Sequence, residues 1–196
     1  MRKNKFVITV LLGAAMFILT SPGFGQHRKG RMQTPEILAM AKVGQWIKIE
    51  GIVQKDGSVF CHEVEFLTGD FLDDDWEFTG IVQKVDLKEN VFFVVRRPVK
   101  PGKEVEYDSK KSKFDSFDDV KPGMLVDLEG TYLKDGTFLA KEIENESEKL
   151  TIEPELKDEV QMLGRIGNVD ARQQHIIVMG VPFKLTERTK GKSVIK

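Results

Sequence analysis

Residues 44–65, GQWIKIEGIVQKDGSVFCHEVE, recur as residues 123–144, GMLVDLEGTYLKDGTFLAKEIE. Eight of the 22 positions are identical, including Gly51/Gly130, Asp56/Asp135 and Gly57/Gly136. In both copies apolar and polar residues alternate: Ile47 and Ile49 against Lys48 and Glu50, Val126 and Leu128 against Asp127 and Glu129. That period of two belongs to a strand with one buried face. Asp-Gly then separates this run from a second one, which predicts a hairpin with a tight I′ turn and positive φ at its centre. We call this unit B.

A second unit, A, pairs FTGIVQKVDLKENVFFVV (78–95) with MLGRIGNVDARQQHIIVM (162–179) through Gly80/Gly164, Val85/Val169, Asp86/Asp170 and Val94/Val178. In each copy Val-Asp and a polar stretch precede a continuous apolar run, which predicts another hairpin with a longer loop; such runs suit a barrel or sandwich core. The chain therefore reads B-A-B-A and begins and ends on a half-unit. Internal repeats set the architecture before any motif does. The expected fold is all-β: two small OB-like or β-barrel modules built from alternating halves. The divisions are residues 43–67 (first B), 77–146 (complete A-B module) and 160–196 (last A). The terminal halves have three options. They can close on each other within the chain as a permuted module, they can give way to consecutive B-A pairs, or they can complete the next chain head-to-tail.

Residues 1–25 read as a secretory signal: a basic start (Arg2, Lys3, Lys5), the apolar run FVITVLLGAAMFIL and small residues Gly23 and Gly25 at the exit. The expectation is an exported protein, periplasmic or in an equivalent compartment, with no membrane span after cleavage. Residues 26–42 form a tail and one short helix from Thr34 to Lys42, with Thr34 as cap and Pro35 in the first turn. Without the signal the chain carries 27 basic and 31 acidic residues, a balance that suggests no nucleic-acid partner.

The segments between units are charged. LTGDFLDDDWE (67–77) contains Asp70, Asp73, Asp74 and Asp75; it reads as a solvated linker rather than a calcium loop, since EF-hand spacing is lacking. RRPVKPGK (96–103) reads as an exposed loop because of Pro98 and Pro101, with a strand near Glu104–Tyr107 and a mobile loop after it. NESEKLTIEPELKDE (145–159) reads as linker. The acidic Asp73, Asp74, Asp75 and Trp76 and the basic Lys184, Arg188, Lys190 and Lys192 are candidate docking surfaces between chains.

The pattern G-x-x-x-x-V-D (Gly80–Asp86), an apolar strand (Val91–Val95), G-x-x-V-x-L-E-G (Gly123–Gly130), Asp135-Gly136 and A-x-x-I (Ala140–Ile143) resembles an exported bacterial β-module of uncharacterised function. That family is similar in outline to small OB-like barrels. Its motifs are turn and core positions, so the resemblance implies fold and not chemistry. In layout alone, the chain is also similar to the non-catalytic, tubule-forming subunits that accompany exported nitrite oxidoreductase complexes.

Catalytic and cofactor signatures are weak. Cys61 and His62 are neighbours on a strand and face opposite sides. Their counterparts in the repeat, Ala140 and Lys141, mark Cys61 as core. His27, His62 and His175 make no zinc pattern, and no haem, nucleotide or nucleophile motif occurs. The expectation is a non-enzymatic structural subunit without cofactor or metal. Its partners are itself, as a homo-oligomer assembled through its half-modules, or a larger exported complex. The alternative is a monomeric barrel binding a saccharide or small anion on Trp46, Trp76, Tyr107 or Tyr132.

Overall fold

A computed structural model describes residues 32–68, 76–109 and 113–195. The signal reading, His27 and the aspartates at 70 and 73–75 lie outside the described residues. The described residues form eleven strands: β1 (Trp46–Val53), β2 (Val59–Thr68), β3 (Trp76–Asp86), β4 (Val91–Val94), β5 (Arg97–Asp108), β6 (Leu125–Tyr132), β7 (Phe138–Asn145), β8 (Glu159–Asp170), β9 (His175–Val178), β10 (Val181–Lys184) and β11 (Lys190–Ile195). Among the same residues are two short helices, α1 (Thr34–Met40) and α2 (Lys149–Ile152), and two 3-10 turns.

Strand pairing resolves into two rings. In the first, β3 pairs with β4, β4 with β5, β5 with β7 in parallel, β7 with β6, and β6 back with β3. In the second, β8 pairs with β9, β9 with β10, β10 and β11 with β2 in parallel, β2 with β1, and β1 back with β8. Both rings are small and barrel-like, within one 11-stranded sheet, as the expected all-β fold requires. Within this single chain, β1 pairs with β8 and β2 with β11, so the second ring draws on strands far apart in sequence.

Each ring carries the same irregularities. The hairpins β1–β2 and β6–β7 both shift register at Glu50/Gly51 and Glu129/Gly130. Backbones close up at that bulge: a Cβ on Gly130 would lie 2.2 Å from the Leu139 carbonyl oxygen, and one on Gly51 2.8 Å from that of Phe60. The Asp-Gly turns differ from the expectation. Positive φ occurs at Gly57 and Gly136 only, 83° and 88°. The N–H of Gly57 donates to the Gln54 carbonyl and that of Gly136 to Leu133. This is the three-residue loop with glycine in the left-handed position. The aspartate caps it, Asp56 Oδ1 accepting from the Ser58 amide and hydroxyl and Asp135 Oδ1 from the Thr137 amide.

The true two-residue I′ turns lie elsewhere. Val94 pairs with Arg97 across Val95 and Arg96, with φ of 44° and 60°. Val178 pairs with Val181 across Met179 and Gly180, with φ of 48° and 71°. In the longer loops, Asp86 Oδ1 accepts the amides of Lys88 and Glu89, and Asp170 Oδ1 those of Arg172 and Gln173. That local capping is the physical content of the Val-Asp motif.

Three sequence readings are corrected. The exposed loop at 96–103 is the start of β5, with Val99 fully buried. Its prolines are tolerated because each pairs on one side only, Pro98 with Phe93 of β4 and Pro101 with Ala140 of β7. Helix α1 is capped by Gln33 and not Thr34; Thr34 donates instead to the Thr186 carbonyl, and Ile37 packs against Gly191 of β11. The 145–159 segment holds α2, and its Glu146 is buried beside the Lys149 ammonium.

The bulge makes a direct prediction. Gly130→Ala should destabilise by about 1–3 kcal/mol, since the obstructing atom is backbone. Gly167→Ala, with only the Ile177 carbonyl at 3.5 Å, should stay within about 0.5 kcal/mol. Urea unfolding monitored by circular dichroism checks both.

Candidate functional site

The two barrels meet where β3 pairs antiparallel with β8: Glu77 with Leu163, Phe78 with Met162, Thr79 with Gln161. In the repeat alignment Phe78 and Met162 are equivalent positions, so the pairing is self-complementary about them. It is the geometry of a two-fold interface, made here within one chain. Phe78 and Met162 are fully buried, and one continuous apolar core runs through both barrels.

Around this axis each barrel sends its I′ turn against the other. The turn of the first barrel carries Arg96, whose Nη2 donates to the Asp56 carbonyl at 2.9 Å and whose guanidinium covers Gly57. Its own amide donates to Gln83 Oε1 at 2.8 Å. A β-branched Val95 in the left-handed region is strained by roughly 1–2 kcal/mol, and the cross-barrel anchoring of its neighbour holds it there. The turn of the second barrel has glycine at the corresponding position. A Cβ on Gly180 would meet Arg97 and the Tyr132 hydroxyl.

That side of the junction holds the aromatic cluster. Trp76 lies 5.4 Å from Trp46 and 5.7 Å from Tyr132, both tilted, and Trp76 covers Gly164 so closely that a Cβ there would sit 2.4 Å from the ring. Arg165 stacks over Trp46 at 5.2 Å. Tyr107, named with them from sequence, is elsewhere, edge-on to Phe114 at 5.8 Å. Trp46, Trp76 and Tyr132 are half-buried and interlock three strands, β1, β3 and β6, from both barrels.

The other sequence-named residues are placed as follows. Cys61 is buried at 3% exposure in the second barrel, its thiol pushed up well above the ordinary range by burial. His62 faces outward, 3.4 Å from Glu50. Lys184 lies over the Phe60 ring. Lys192 reaches Glu63 at 2.7 Å and also Glu65, and these carboxylates hold its ammonium in the charged form to higher pH. Arg188 is in the loop before β11 and Lys190 opens that strand, opposite Glu63. Gly80 packs against Val94. Among the described residues no group of three or more His, Cys, Asp and Glu is arranged to hold a metal ion, and no helix is long and apolar enough to cross a membrane.

The reciprocal turns were not found from sequence; Trp46, Trp76 and Tyr132 were named as candidate ligand contacts, but not their meeting at the junction of the barrels. Two equivalent positions, Arg96 and Gly180, differ in size, and only the pairing of the barrels shows why.

Residues 79–144, nearly the whole of the first barrel, match the family described as Domain of unknown function (DUF5666). No curated protein and no solved structure gives a match.

Burial at Cys61 predicts that a thiol reagent at pH 8 labels the folded protein at the rate of unfolding and the urea-unfolded protein within seconds to minutes. Fast labelling of the native chain would contradict the buried position. Arg96→Ala should cost about 1–3 kcal/mol, as the Asp56 carbonyl loses its charged donor and Val95 keeps its strain; chemical denaturation of the variant measures it.

Proposed function

We propose that this protein is a non-catalytic exported subunit, a rigid double barrel that works by docking on other proteins in a larger assembly. The observation that carries the reading is where the reactive and aromatic side chains are spent. Cys61 lies in the core, His62 and Lys192 pair with glutamates of their own barrel, and the tryptophans bind one barrel to the other. What the fold leaves for interaction is the outer strand faces. The resemblance in layout to tubule-forming subunits of exported nitrite oxidoreductase complexes, read from sequence, points the same way.

Self-association by exchange is the second form of this proposal. The second barrel is assembled from residues at opposite ends of the chain, so the pairings of β1 with β8 and β2 with β11 can be made with the same chain or with another. Effective concentrations near millimolar favour the closed chain at dilution. Light scattering on the mature protein should therefore give a monomer at micromolar concentration and, after refolding at millimolar concentration, dimers or larger species. A fixed large oligomer at every concentration would contradict exchange.

The half-exposed Trp46, Trp76 and Tyr132 with Arg165 and Arg97 alongside favour one further reading, an anionic saccharide stacked at the junction. Tryptophan fluorescence unchanged across a panel of neutral and acidic oligosaccharides would remove it.

A further inference from the structure

The two-fold relation through Phe78 and Met162 lets each junction residue be compared with its mate in the other barrel. Trp46 pairs with Arg165, and the matching pair is Leu125 with Ile81. Trp76 pairs with Gly130, and its mate Val160 with Gly51. Tyr132 faces Phe138 where Val53 faces Val59. Arg97 closes its turn against Val94 where Val181 closes the other against Val178. One side of the junction is therefore aliphatic, with Leu125, Val160 and Val181 all buried. The other side, on the same backbone, carries two tryptophans, a tyrosine and an arginine. The fold does not require them, because its second copy is built without them.

Arg97 is the member of this set that the fold explains least. It is half-buried, its Nε is shut off from solvent without a hydrogen-bond partner, and no carboxylate among the described residues pairs with it. A guanidinium drawn part-way out of water with no anion beside it costs stability. Its outer end points to the open corner at Gly180. A Cβ placed on that exposed glycine would lie 2.8 Å from Arg97 Nη1 and 2.9 Å from the Tyr132 hydroxyl oxygen, so the two donors stand close together. Behind them the rings of Trp46, Trp76 and Tyr132 lie 5.4 and 5.7 Å apart at tilts of 53° and 46°. Rings tilted in this way form a curved wall rather than a slot, which suits a puckered ring laid on one face more than a flat ring inserted between two.

We propose that Arg97 is the specificity-determining residue of a carboxylate-bearing saccharide site on this one side of the junction. The sugar ring lies on the aromatic wall, and its carboxylate takes the Arg97 Nη1 and Tyr132 donors. The ligand then supplies the counter-charge that the fold leaves out. This rests on the saccharide reading of the junction and adds to it the group that selects the ligand.

Both tryptophans of the chain belong to the wall, so fluorescence of the mature full-length protein reports on it directly. The probes are trigalacturonate and its fully methyl-esterified form, which keeps the rings and loses the charge. Trigalacturonate should change the emission saturably, with binding that weakens as salt rises, and the ester should bind at least about tenfold more weakly. Arg97→Val, which copies Val181 of the other barrel, should reduce affinity for the acid to that for the ester and melt no lower than the parent. Arg97→Gln should behave alike in binding. Lys184→Gln, on the outer face over Phe60, should bind as the parent does. Equal affinity for acid and ester, or unchanged binding of the acid by both Arg97 variants, would overturn the proposal and leave a saccharide stacked on the aromatics standing. Displacement of trigalacturonate by millimolar acetate would reduce the corner to a plain anion site and overturn it as well. No response to either sugar would remove the proposal and the saccharide reading together.

Discussion

Everything else in the molecule is arranged around one strand pairing, that of β3 with β8 about Phe78 and Met162. Because equivalent residues face each other there, each barrel meets its partner with the same surface. Any further contact comes twice: one I′ turn reaches Gly57 through Arg96, and the other leaves room at Gly180 for Arg97 and Tyr132. The chain is thus built as a two-fold dimer of barrels carried on one polypeptide. The order of its halves has been shifted, so that one barrel is continuous in sequence and the other is assembled from residues near the two ends. Such small barrels would be marginal alone. Sharing a core and an interface offsets that.

The hairpins were legible because their causes are local. Asp56-Gly57 and Asp135-Gly136 announce a turn with a residue in the left-handed region, and alternation on either side fixes which face is buried. Even there the turn class was misjudged, since one glycine of positive φ, followed by a capped aspartate loop, looks in sequence like a two-residue turn. The real two-residue turns were missed because Val95 and Arg96 are poor residues for positive φ. Only the contact of Arg96 with the opposite barrel explains their tolerance. Strand β5 was hidden by Pro98 and Pro101, which read as breakers until the one-sided pairing of each is known. Which terminal halves would close was open in principle, because both A units present the same core positions to either B unit.

The carboxylate rows of the first barrel were illegible for a different reason. Glu77, Glu106, Glu129 and Glu142 are spread over 66 residues and four strands, and nothing short of the register lines them up. Sequence drew attention instead to Asp73, Asp74 and Asp75 and to the basic C-terminal strand. The structure gives that basic strand a task of its own, since Lys192 neutralises Glu63 and Glu65 inside the second barrel.

The central claim is that residues near the two ends of one chain complete one barrel. Lys192 and Glu63 are in direct contact at 2.7 Å, so a zero-length carbodiimide cross-link can join them. Applied to an equimolar mixture of unlabelled and nitrogen-15-labelled chains at micromolar concentration, mass spectrometry of the Lys192–Glu63 and Lys192–Glu65 peptides should find both halves light or both heavy. Mixed light–heavy peptides at the statistical proportion would show that the halves come from different chains and would contradict the account.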